Sequence, residues 1–329
     1  MNLLTDVAGL TVGQAQDEDL ASGVTVVLFD DPAVAGVAVT GGAAAGRDQE
    51  CLAPDRTLER IDALVLSGGS SFGLDAASGV QAWLRARGRG LAIRDALVPI
   101  VPAAILFDLL NGGDKAWGQY PPYRELAYAA CQCAGMRFEL GTAGAGYGAT
   151  TVDLKGGIGS ASVRTTTGHT IGAIAAVNAI GSTIVGRGPH FWAAPFEIGG
   201  EFGGLGWPAR IPEEVHSLGW KGMGVPATTI AAVATDAALT KPQASRLAAI
   251  AAQGLTRALR LSGAAMDGDT VFACSTLRRP LLPGLDDFTE LAARASDCLA
   301  RAVARGVYEA SALPFENALP AWRDRFCSQ

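Results

Sequence analysis

The stretch Lys221–Thr240, KGMGVPATTIAAVATDAALT, decides the reading of this chain, because a loose Gly/Pro segment runs directly into two threonines that open an apolar run. β-Branched residues start strands well, so Thr228, Thr229 and Ile230 read first as the beginning of a buried strand. The same arrangement has chemical content. Attack of the Thr228 hydroxyl on the Ala227 carbonyl, followed by an N-to-O acyl shift and ester hydrolysis, would split the chain and expose Thr228 as a new terminus. The new α-amino group, with an ordinary pKa of about 7.7 to 8.0, would sit beside the hydroxyl as its base.

Downstream, KPQASRLAAIAAQGLTRALRL predicts a helix that Thr240 caps, with Pro242 in its first turn and Leu247, Ile250, Leu255 and Leu259 on one face. DGDTVFACST predicts a short strand, and DDFTELAARASDCLARAVARGVYEA a final helix. Upstream, residues 183 to 224 carry Gly, Pro and Trp192, Trp207 and Trp220 without a clear period, and long irregular segments of compact proteins are usually functional or mobile. GTAGAGYGATTVDLKGGIGSASVRTTTGHTIGAIAAVNAIG reads as glycine-punctuated short strands. GVTVVLFDD and AVAGVAVTGG read as two paired strands with Asp30, Asp31 and Pro32 as the turn between them. With no repeat and no linker in view, residues 1–329 are expected to form a single domain. Helices flanking a stacked pair of sheets is the favoured architecture, with a doubly wound α/β fold as the competitor.

The bulk composition narrows the function classes. A chain of 329 residues, 49% hydrophobic and 18% charged with 42 glycines, buries a large core and suits an enzyme with many tight turns. A net charge of −6 without a Lys/Arg block gives no footprint for nucleic acid or an anionic membrane surface. The N-terminus lacks the features of a signal peptide, and the longest apolar run is broken by Asn178 and Ser182, so a cytoplasmic location and no membrane span are expected. Six cysteines without a CxxC pair and three scattered histidines indicate neither a zinc site nor a disulfide framework. No metal and no cofactor are expected.

LSGGSSFGL (Leu66–Leu74) follows a strand and opens a helix, so its N–H groups could bind an anion. A nucleotide- or phosphate-binding protein using this turn is the alternative function. The stretch matches neither GxGxxG nor GxxxxGK[ST], and a tight packing turn, with Ser70 or Ser71 contributing to a substrate pocket, is the preferred account. Elsewhere, Asp267 and Asp269 in MDGDT would point to one face if the segment is a strand and would be solvated if it is a turn. Asn178 interrupts an apolar run, and a buried amide needs partners. Tyr147 and Lys155 occupy glycine-rich turns from which side chains can project into a cleft.

PATTIAAVATDAALT and DGDTVFA, with GAGYGAT, KGGIGSAS, AAVNAIG, LSGGSSFGL and VPIVPAAILFDL, resemble in order the DmpA-type self-processing peptidases. That family includes L-aminopeptidase/D-esterases, β-peptidyl aminopeptidases and nylon-oligomer hydrolases. The resemblance implies an N-terminal-nucleophile hydrolase in a four-layer αββα sandwich, cut into an α chain 1–227 and a β chain 228–329. It implies that Thr228 is the nucleophile at the processing site after Ala227, with Thr229 as the neighbouring alternative. Asp267 would polarise Thr228 with Asp269 behind it, Asn178 would donate to the oxyanion, and Tyr147 and Lys155 would line the pocket. The expected activity is hydrolysis of short peptides or related oligoamides from the amino end, in a homo-tetramer or larger assembly of αβ units.

Overall fold

The computed structural model describes residues 1–222 and 225–327. In chain order the elements are β1 (Leu10–Asp17), β2 (Ser22–Val39), β3 (Gly46–Arg47), β4 (Ile61–Ser67), α1 (Ala76–Arg85), β5 (Leu91–Ile93), β6 (Ala96–Val98), β7 (Ala103–Ile105) and α2 (Tyr123–Gln132). After these come β8 (Gly157–Arg164), β9 (Thr170–Asn178), β10 (Thr228–Ala238), α3 (Lys241–Ala251), α4 (Gln253–Ala258), β11 (Thr270–Pro280), α5 (Asp286–Tyr308) and α6 (Trp322–Phe326). Hydrogen bonding gives the strand order β3-β7-β4-β2-β11-β10-β9-β8, with β1 also paired to β2 and β5-β6 standing apart as a hairpin.

The two stretches read as a hairpin are one 18-residue strand, which corrects the sequence reading. The first half of β2 pairs with β1 and β4, while Val34 to Val39 pair with β11. Between the halves the register with β4 shifts, and Asp30, Asp31 and Pro32 are exposed. The turn-forming residues therefore make a corner where one strand leaves one sheet for the other, as bulged strands do in packed sheets.

Alternation along the strands sets the layers. Val24, Val26 and Leu28 pack with Val80, Leu84 and Ala127 of α1 and α2, whereas Val27 and Phe29 face Ile230, Ala232 and Phe272 of the other sheet. On β10, Ile230, Ala232 and Ala234 point between the sheets, and Ala231 and Val233 point to Leu247, Leu255, Leu299 and Val303 of α3, α4 and α5. The result is helix, sheet, sheet, helix: the αββα sandwich expected from the sequence. Period-2 burial on both faces explains why these strands read as near-continuous apolar runs.

The Thr240 cap forms as expected: its hydroxyl accepts the Gln243 N–H, and the Gln243 side chain accepts the Thr240 N–H at 2.8 Å. The helix it starts is interrupted at Ala252 and resumes as α4. A Cβ on Gly254 would lie 2.4 Å from the Ser296 carbonyl, so α4 can lie this close to α5 only through a glycine. No helix among the described residues is long and apolar enough to cross a membrane.

Candidate active site

β10 lies inside the sheet, antiparallel to β9 on one side and parallel to β11 on the other. Thr228 begins it, opposite Asn178 at the end of β9. Directly opposed residues of an antiparallel pair share a face, so the Thr228 and Asn178 side chains lie on the side that Ile230 and Ala176 fill between the sheets. Thr229 has the opposite parity, toward the helix layer, and its buried hydroxyl has no hydrogen-bond partner among the described residues. Geometry thus separates the two threonines that the sequence left side by side.

The Thr228 hydroxyl donates to the Ala227 carbonyl at 2.5 Å. That carbonyl also receives the Gly268 N–H at 2.9 Å, as Ala227 bridges to Asp267. The peptide group in front of Thr228 is therefore held between a hydroxyl on its own chain and a backbone donor from the β11 approach. Gly268 fits only as glycine: a Cβ would stand 2.5 Å from Thr228 Oγ1. Sequence reasoning weighed the two aspartates of the DGD triplet and missed the glycine between them. The signal that could have exposed it is the triplet itself, since an unbranched residue between two buried acids marks a close backbone approach.

Asp267 and Asp269 are fully buried, not solvated. Both carboxyls accept the Gly263 N–H, Asp267 at 3.1 Å and Asp269 at 2.9 Å, so they converge on one point. Asp269 also accepts the Thr229 N–H at 2.6 Å, and Asp267 accepts from Gly268 at 3.1 Å. Burial raises both pKa values, and the adjacent Asp267 charge helps push Asp269 up to about 8. Two such carboxyls share a proton at neutral pH. Asp269 touches β10 directly, and Asp267 reaches it through Gly268.

Asn178 is fully partnered on its oxygen: Oδ1 accepts the Thr150 N–H at 3.0 Å and the Lys221 ammonium at 3.0 Å. Its Nδ2 donates one hydrogen to the Phe107 carbonyl at 2.8 Å, and the second remains for another acceptor. A cleft of about 310 Å³ opens here, lined by Phe107, Asp108, Asn178, Lys221, Val225 and Pro226 together with Phe315 to Leu319 of the C-terminal segment. The residues that lead into Thr228 thus lie in the cleft.

The remaining candidates divide. Lys155 is 1% exposed, and its ammonium donates to the carbonyls of Gly146, Ala149 and Gly156 at 3.0, 2.8 and 2.7 Å. It fills the glycine-rich turn from within and does not project into the cleft, and burial lowers its pKa to about 7. Tyr147 packs with Ala21 and Leu313 beside Phe315, behind the cleft rim. Ser70 and Ser71 begin a 3-10 turn outside the cleft lining.

The Leu66–Leu74 turn is a poor anion cradle. Gly69 gives its N–H to Asp108 at 2.7 Å and Ser70 gives its own to the Leu106 carbonyl at 2.9 Å. An anion would meet spent donors and the Asp108 carboxyl, which also takes the Ser22 hydroxyl at 2.6 Å. Nucleotide binding at this turn is not favoured. Among the described residues no group of three or more His, Cys, Asp or Glu side chains is placed to hold a metal ion.

Comparison with known proteins extends these observations. Uncharacterized aminopeptidases of Mycobacterium bovis and Mycobacterium tuberculosis are each 39% identical over 350 residues, covering 99% of this chain and 98% of the relative. A Burkholderia sp. beta-aminopeptidase superposes with a TM-score of 0.72 at 20% identity, covering 98% of this chain and 91% of its own. An L-aminopeptidase D-Ala-esterase/amidase from Ochrobactrum anthropi, described as a variant of the Ntn hydrolase fold, superposes at 0.69 with 21% identity, covering 98% and 91%. The two solved structures bear on the fold, which is that of the Ntn hydrolases. The model of peptidase family S58 matches residues 2–318. With that match and full-length relatives at this identity, the chain belongs to peptidase family S58 and is a hydrolase of peptide or amide bonds.

Proposed function

We propose that this protein is a self-processing aminopeptidase whose nucleophile is Thr228. One observation carries the reading: the Thr228 hydroxyl lies against the Ala227 carbonyl while Gly268 donates to the same oxygen. Attack by Oγ1 forms the new C–O bond, and as charge gathers on the Ala227 oxygen the Gly268 N–H is already aimed at it. Collapse breaks the C–N bond, the proton passes to the Thr228 nitrogen, and water hydrolyses the ester to an Ala227 carboxylate. In turnover the freed α-amine serves as base, and a substrate carbonyl replaces Ala227. The spare Nδ2 hydrogen of Asn178 then supports the oxyanion, a contribution of typically about 2.7–4 kcal/mol.

The acids of the DGD triplet are too deep to meet a substrate's free amine. Glu316, exposed at the cleft rim and without an ion-pair partner among the described residues, presents the negative charge an aminopeptidase substrate would seek. Ile198, Leu205, Trp207, Ile211, Leu218 and Trp220 are each about half exposed along one irregular segment, which favours association of αβ units through that segment.

A denaturing gel tests the cut. Pieces of about 23 and 10 kDa, by proportion of the 33.7 kDa chain, are expected, and terminal sequencing of the smaller should begin Thr-Thr-Ile-Ala. Thr228→Ala should abolish both the cut and hydrolysis of aminoacyl amides with a free amine, and the wild type should leave N-acetylated amides intact. Residual amidase activity in that variant would remove Thr228 from the mechanism.

A further inference from the structure

Lys221 has no part in the sequence-derived machinery, yet it clamps one of its members. Its backbone N–H donates to the Ile180 carbonyl at 3.1 Å, which ties the irregular segment to the turn after β9. Its ammonium then reaches back to two oxygens of a single residue, the Asn178 backbone carbonyl at 3.2 Å and the Asn178 Oδ1 at 3.0 Å. A carboxamide can rotate end for end at little steric cost, and its hydrogen-bond partners alone decide which end is nitrogen. At Asn178 the oxygen side holds only donors, Lys221 and the Thr150 N–H, while the nitrogen side holds an acceptor, the Phe107 carbonyl. Thr150 alone would leave the oxygen with a single partner.

We infer that Lys221 is a positioning residue for catalysis, which fixes the orientation of the Asn178 carboxamide so that its free Nδ2 hydrogen faces the reacting carbonyl. The inference rests on the aminopeptidase reading above, because it assigns Asn178 to the oxyanion of turnover. The ammonium also places a positive charge near Asp267, so the lysine joins the carboxyl pair and the amide across the head of β10. Burial, opposed by Asp267, lowers its pKa to about 7. A lysine driven down this far still donates hydrogen bonds in either protonation state, so the clamp survives at mildly alkaline pH.

The test is a double-mutant cycle on a chromogenic aminoacyl anilide, with rates normalised to cleaved chains. Lys221→Met is expected to lower kcat about tenfold with KM within about twofold, and Lys221→Arg, which can donate to both oxygens, to recover most of the loss. In an Asn178→Ala background Lys221→Met should have almost no further effect. Wild-type kcat in Lys221→Met, or losses that simply add in the double variant, would overturn the assignment. If Lys221→Met does not yield cleaved protein, Lys221→Gln, which keeps a donor without the charge, takes its place: near-wild-type kcat supports the clamp, and a loss equal in the presence and absence of the Asn178 amide refutes it. Failure of the wild-type chain to hydrolyse any aminoacyl amide would instead defeat the aminopeptidase reading, and this assignment with it.

Discussion

Gly268→Ala probes the head of β10 with a single methyl group. The added Cβ would lie 2.5 Å from Thr228 Oγ1, 3.0 Å from its Cγ2 and 3.3 Å from its Cβ. These atoms belong to a short, β-branched side chain whose backbone is held by the β9 ladder at Asn178 and, one residue before it, by the Ala227 bridge to Asp267, so relief must come from a rotamer change or a backbone shift. Either Thr228 leaves its rotamer, at about 0.5–1.5 kcal/mol, or the DGD segment recedes and loosens the Gly268 N–H bond to Ala227. Overpacking of this kind costs about 1–3 kcal/mol of stability, a few degrees of melting temperature. The chemical effect should be larger, because a displacement of about 1 Å between reacting groups can slow a reaction by about 10²-fold. A time course of purified precursor on a denaturing gel measures the cut, with Gly219→Ala, whose added methyl meets no atom within 4 Å, as the control. A Gly268→Ala half-time within threefold of wild type would show that the glycine is not what positions the hydroxyl.

Two further outcomes follow from the buried charges. In an uncut Thr228→Ala background, Lys155→Met strands the carbonyls of Gly146, Ala149 and Gly156 and should cost at least about 3 kcal/mol in urea denaturation; a loss below about 1 kcal/mol would mean that the turn reorganises without its lysine. Asp269, raised from 3.8 to about 8, binds a proton in the folded chain that the unfolded chain has released, so stability should fall as pH rises from about 4 to about 8. Asp269→Asn should flatten that fall in a series of thermal melts, and unchanged slopes would place the proton elsewhere.

Much of the layered fold was legible because it depends on patterns that repeat. The near-continuous apolar runs of β9 and β10, the Thr240 cap and the 23-residue α5 each carry their own local signal. What escaped depends on distant partners. Asp30-Asp31-Pro32 has turn chemistry, and only β11 waiting beyond it makes the strand continue into a second sheet. The helical pattern that periodicity carries through is interrupted at Ala252, and Gly254, inside the resumed helix, is needed because the backbone of α5 lies against it. At the site, the sequence named Thr228, Asn178 and the two aspartates, residues whose polarity is conspicuous in apolar surroundings. Lys155 was expected in the cleft and is instead inside the turn, since a lysine among glycines looks the same in sequence whether its ammonium faces water or three carbonyls. Lys221 and Gly268 carried no such contrast, and their importance is a matter of what lies 3 Å away.

The order of strands across the sheet has a consequence for a chain cut before β10. The later piece contributes β10 and β11, and both are flanked by strands of the earlier piece, β9 on one side and β2 on the other. The halves are therefore interleaved, and they cannot part without tearing two ladders out of the middle of the sandwich. Dissociation and global unfolding become one event. Once unfolded, the two polypeptides must find each other in solution, so renaturation turns second order and depends on concentration, whereas the uncut chain needs only itself.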